Sequence, residues 1–117
     1  MNYRYGDKME TEKFILERTG MKNLTFQGRV IGEESDYTAQ NSGRWTDYTI
    51  YQTHGGKYIG QIEYITQWQG EQDTSEVFIA GSLRELSEKM IEDMDYIPDN
   101  LKIAFADAKY DICDTIE

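Results

Sequence analysis

The chain is predicted to fold as α+β, an antiparallel meander of about four strands packed against two C-terminal helices. Three observations carry this. Period-two and β-branched or aromatic runs fill residues 23–80, the apolar period changes at Ser82 to steps of three and four, and that helical stripe continues towards the C-terminus. Strands gathered before helices indicate α+β rather than a parallel, alternating α/β sheet. A length of 117 residues suits one domain, and no linker, repeat or low-complexity segment divides residues 1–117. Aromatics at 13% mark a chain that folds, even at a net charge of −10, because disordered acidic chains are poor in aromatics.

Taken in order, the first twenty residues support two readings. Asp7 to Thr19 fits a short helix, and Lys13 to Arg18 fits a strand built on Phe14, Ile15 and Leu16. From Asn23, the alternation of Leu24, Phe26, Gly28 and Val30 with Thr25, Gln27 and Arg29 predicts a half-buried strand. Gly32 to Arg44 is rich in turn formers and is expected to be a connecting loop. Trp45 to Thr53 and Lys57 to about Trp68 read as strands around His54-Gly55-Gly56, a hairpin whose glycines accept positive φ. On the second of these strands Tyr58, Gly60, Ile62, Tyr64, Thr66 and Trp68 are expected to face the core, and Ile59, Gln61, Glu63, Ile65 and Gln67 to face away. A polar turn at Gln69 to Ser75 then leads to a fourth strand, Glu76 to Ala80.

Ser82-Leu83-Arg84-Glu85 has the capping-box form, in which hydroxyl and carboxylate satisfy free amides at a helix start. Leu83, Leu86, Met90 and Met94, widened by Ile91, form the apolar stripe of that first helix. Pro98 suits an early helical position, and Leu101, Phe105, Ala108, Ile112 and Ile116 predict a second helix reaching nearly to the C-terminus.

Chemistry is harder to place. Cys113 is the single cysteine, so no intrachain disulfide and no cysteine–histidine zinc set can form. Met1 to Lys13 has no apolar run of the signal-peptide kind and nothing approaches the ~20 apolar residues of a membrane span, so the expected location is the cytoplasm. His54 sits at a hairpin tip without a nucleophile or orienting carboxylate beside it, and Cys113 lies among Asp111 and Asp114, which disfavour a thiolate. Glu33, Glu34 and Asp36, and likewise Glu71 and Asp73, offer hard oxygen ligands but not the spacing of a calcium loop, and read as solvated loop acids. The glycines form no phosphate-binding loop. The expectation is therefore a protein without catalytic, cofactor or metal site.

The charge distribution points instead to a partner. Residues 82–117 hold ten acids against four bases. On helices whose apolar stripes are committed to the core, Glu85, Glu88, Glu92, Asp93 and Asp95 should project outward, a row of carboxylates that can stand in for phosphates in a basic groove. Trp45, Tyr48 and Tyr51 on the hairpin form a second candidate contact surface, since Tyr and Trp combine a large apolar body with a polar tip. The expected partner is a basic protein surface, with nucleic acid and anionic membrane repelled and a homodimer left open.

Gly43 to Tyr58, GRWTDYTIYQTHGGKY, continued by Thr66 to Glu71, TQWQGE, resembles small proteins carried by phages and mobile elements, the anti-CRISPR proteins among them. The resemblance implies an inhibitor that occupies a surface on a bacterial defence complex such as a CRISPR effector. The same charge argument serves an immunity protein that neutralises a basic nuclease toxin. From a different class, the alternative is a small carboxylate-based or metal-dependent enzyme built on the loop acids.

Overall fold

The computed structural model describes residues 11–40 and 43–112. It is α+β, with five strands rather than four: β1 (Glu12–Arg18), β2 (Met21–Ser35), β3 (Arg44–Thr53), β4 (Tyr58–Thr66) and β5 (Thr74–Ala80), followed by α1 (Leu83–Ile91) and α2 (Asp99–Asp107). The strands pair in chain order, all antiparallel. The extra strand is β1, which resolves the helix-or-strand ambiguity: Phe14 pairs with Phe26 and Leu16 with Leu24, and the two phenyl rings stack at 5.4 Å. Gly20, at φ +79°, makes the turn between β1 and β2 that a side chain would resist.

The second correction concerns residues 32–35. Expected as loop, they continue β2 and pair with Asp47 to Ile50 of β3 after a register shift between Val30 and Gly32. Their acidic and serine residues have a local preference for turns, but the ladder to β3 satisfies their backbone groups and overrides it.

The sheet curls into a half-barrel, and this changes which residues are inside. On one face Tyr48, Ile50, Ile62 and Ala80 pack against Leu86 and Met90 of α1 and Leu101, Ala104 and Phe105 of α2. On the other, Leu16, Tyr51 and Ile59 form a second cluster with Phe14, Leu24, Phe26 and Val77. The curl brings the β1–β2 turn to β5, where Thr19 N donates to Ser75 O at 2.9 Å and Ser75 N to Thr19 Oγ1 at 2.8 Å. β4 is consequently buried on both faces from Ile59 to Ile62, so Ile59 and Gln61, expected to face away, lie inside. Tyr64 and Trp68, expected to face the core, are 42% and 55% exposed, because the helices do not extend over that end of the hairpin.

Helix α1 starts as its capping box requires: Glu85 N donates to Ser82 Oγ at 3.1 Å and Gly81 N to Glu85 Oε1 at 2.9 Å. Helix α2 stops well short of the C-terminus. Lys109 adopts φ 69°, Tyr110 N bonds Phe105 O and Lys109 N bonds Ala106 O, each at 2.9 Å, and the Phe105 and Tyr110 rings meet edge-on at 5.9 Å. These contacts constitute a Schellman motif with its apolar clasp. Ile112 packs beyond it as a partly buried residue, while Cys113 and Ile116 lie outside the described residues. Among the described residues, no helix is long and apolar enough to cross a membrane.

Candidate functional site

The acids expected to form an outward row on the first helix are all exposed, but part of the row is already matched. Arg84 lies 3.3 Å from Glu88, and Lys89 lies 3.5 Å from Glu85. The bond from Gly81 N, then Lys89, holds the Glu85 carboxyl below the usual carboxylate range. Glu92 caps the end of α1, and Asp93 and Asp95 follow it, all exposed. The row is therefore split between a charge-balanced helix and an acidic segment after it.

The aromatic candidates separate more sharply. Trp45 is half-buried and makes an edge contact with Tyr37 at 4.8 Å between ring centres. Tyr48 and Tyr51, expected as contact anchors, are each only 6% exposed and belong one to each core cluster. Strand alternation sends them to opposite faces; the helices cover Tyr48, and the curled sheet covers Tyr51. Burial pushes each phenol up to about 12. Tyr51 Oη donates to Gln61 Oε1 at 3.0 Å and Gln61 Nε2 to Ser75 Oγ at 3.0 Å, a buried polar chain from β3 across β4 to β5.

The loop acids serve the scaffold. Glu71 pairs with Arg44 and accepts the Thr66 hydroxyl, which lowers its carboxyl to about 2. The Arg44 guanidinium also lies 5.4 Å from the Trp68 ring centre. Asp73 Oδ1 accepts from Thr66 N at 2.9 Å and Asp36 Oδ1 from Thr46 N at 2.7 Å, so both tie connections to the hairpin.

What the sequence reading missed is an acidic concavity on the inner face of the half-barrel, the face opposite the helices that carries Leu16, Tyr51 and Ile59. Across the sheet, Ser35, Asp47, Glu63 and Ser75 form one row in register, and Glu33, Thr49, Gln61 and Val77 form the next. β1 pairs with β2 only as far as Gly28, so the stretch of β2 that carries Glu33 and Ser35 has no β1 partner. A cavity of about 640 Å³ is bordered by Glu17, Arg18, Tyr51, Gln61, Glu63 and Asp73. A second hollow of about 470 Å³ is bordered by Glu33, Trp45, Asp47, Thr49 and Glu63. Burial first, then Asp47, Asp73 and Glu17, raises the Glu63 carboxyl above its ordinary value. The signal for this site was present: a hairpin that turns at 54–56 with Tyr51 opposite Ile59 must also place Asp47 opposite Glu63.

The charged groups that border the two hollows are the acids Glu17, Glu33, Asp47, Glu63 and Asp73 with Arg18 and, in the second hollow, Glu34. His54 is exposed at the hairpin tip, in the turn after β3, whereas Asp47 lies six residues back from Thr53 at the end of that strand, about 20 Å at strand spacing. Among the described residues, no group of three or more His, Cys, Asp or Glu is arranged to hold a metal ion. Compared with known proteins, the chain matches no family model, no curated protein and no solved structure.

Proposed function

We propose that the chain is a non-enzymatic binding protein that occupies a basic surface of a bacterial nucleic-acid-handling defence complex, an inhibitor of the anti-CRISPR kind. The observation that carries this reading is the inner-face acidic concavity: Glu33, Asp47 and Glu63 stand in register with Thr, Ser or one another, with no Lys or Arg opposite. A net charge of −10 strengthens the local field, and low-dielectric walls focus it towards the concavity. The half-buried Trp45 at its border supplies an apolar contact beside the acids.

The test is competition with nucleic acid for purified CRISPR effectors, read at several salt concentrations. Screening over about 8 Å at physiological ionic strength should slow association as salt rises, with a smaller effect on dissociation. Reversing Glu33 and Glu63 to Lys should weaken inhibition by about tenfold or more, whereas reversing Glu85 and Glu88, which already have intrahelical counter-ions, should change it only a few-fold. Inhibition indifferent to salt and to both reversals removes the acidic mechanism. Failure against effectors together with tight binding to a basic nuclease toxin selects the immunity-protein reading instead.

A further inference from the structure

Asp47 and Glu63 stand directly opposite each other on β3 and β4, a position where like charges destabilise a sheet. Asp47 Oδ1 is also enclosed without a hydrogen-bond donor. Around Glu63 the facing groups come from every neighbouring element. Glu17 and Arg18 approach from β1, and Ser75 stands opposite on β5. Asp73 approaches from the connection after β4, and Glu33 from β2 borders the same hollow. Tyr51 and Gln61 form the wall. Arg18, the one cation among these, commits its Nε to the Lys22 carbonyl at 2.7 Å.

This cluster sits beside the seam of the half-barrel. β1 and β5 do not pair as strands; the turn after β1 meets β5 through the two Thr19–Ser75 hydrogen bonds. Carboxylates lie on both sides of that junction, Glu17 on one and Glu63 and Asp73 on the other. While all are ionised they repel across it. A proton on Glu63 removes one of these charges and provides the donor that Asp47 Oδ1 lacks.

We propose that a proton taken up by Glu63 as the pH falls is donated in a hydrogen bond to Asp47, and that this proton latches the β1–β5 seam. The upward displacement of the Glu63 carboxyl by burial and by its acidic neighbours agrees with this. Its sign is fixed by linkage. Between the ordinary carboxylate value and the raised one the folded state binds more protons than the unfolded state, so the seam is firmest below that window and loosens as pH rises through it.

Hydrogen exchange at the Thr19 and Ser75 amides, followed from about pH 4.5 to about pH 7.5 and corrected for intrinsic rates, tests the latch on the protein alone. Protection at these two amides should fall by about threefold or more as pH rises, with amides of the β3–β4 ladder nearly constant. Glu63→Gln, whose amide keeps a donor without the charge, should hold protection high throughout. The Glu63 carboxyl resonance should titrate above the ordinary carboxylate value, and Asp47→Asn should lower that midpoint. The proposal is overturned by an unchanged pH profile in Glu63→Gln, by a Glu63 midpoint indifferent to Asp47→Asn, or by a protection change spread evenly over all amides.

Discussion

Lys109 is the clearest single-residue compromise in the fold. Its φ of 69° closes the Schellman motif at the end of α2, in a region where a side chain costs about 1–2 kcal/mol and glycine does not. Lys109→Gly loses part of that gain to the greater freedom of glycine in the unfolded chain. A net stabilisation of about 0.5–1 kcal/mol is expected in urea denaturation, with Lys109→Ala near neutral. Tyr48 and Tyr51 give a second residue-scale expectation. Both phenols are pushed up to about 12 by burial, so the folded state holds their protons more tightly than the unfolded state. Their contribution is fully present below the ordinary phenol value and is lost as pH rises towards about 12. A spectrophotometric titration should show these two phenols ionising well above the ordinary phenol value, together with unfolding.

Between elements, the decisive contacts are those where backbone meets backbone. A Cβ at Gly32 would lie 2.1 Å from the carbonyl oxygen of Ala104, so the bare glycine lets α2 lie directly on β2. Gly32→Ala forces helix and strand apart and should cost roughly 1–3 kcal/mol. Gly60 differs, since a Cβ there meets the flexible Met90 side chain first, at 2.3 Å, and part of the strain can relax. A smaller loss is expected at Gly60 than at Gly32, measured side by side. For α1, Leu86→Ala removes a fully buried side chain between helix and sheet and should cost about 2–5 kcal/mol, whereas Ser82→Ala removes only the cap and should cost about 1 kcal/mol.

For the whole molecule, charge is the dominant variable. The ion pairs Arg44–Glu71, Arg84–Glu88 and Lys89–Glu85 lie on exposed surface, where such pairs contribute little, while the net charge is −10. Added monovalent salt should therefore raise the melting temperature, because it screens more repulsion than attraction; a gain of about 1 kcal/mol corresponds to a few degrees. Thermal melts from low to physiological salt check this, and a falling melting temperature would show that specific pairs outweigh net repulsion.

Much of the fold was legible in residue order alone. The hairpin around His54-Gly55-Gly56 and the capped stripe of Leu83, Leu86 and Met90 appear where periodicity and cap chemistry place them, because those signals act within a few residues. Residues 32–35 and the true end of α2 were not, because the first depends on pairing with Asp47 to Ile50 and the second on Tyr110 folding back onto Phe105. The candidate site divides in the same way. Composition identified an acidic protein, and residue order placed five of its acids on and after a helix. Tertiary structure decided that Glu85 and Glu88 have counter-ions, that Tyr48 and Tyr51 are inside, and that Glu33, Asp47 and Glu63 share an open inner face. Alternation along a strand assigns each side chain to a face, but the curl of the sheet, set by contacts between residues far apart in sequence, determines which parts of that face are covered.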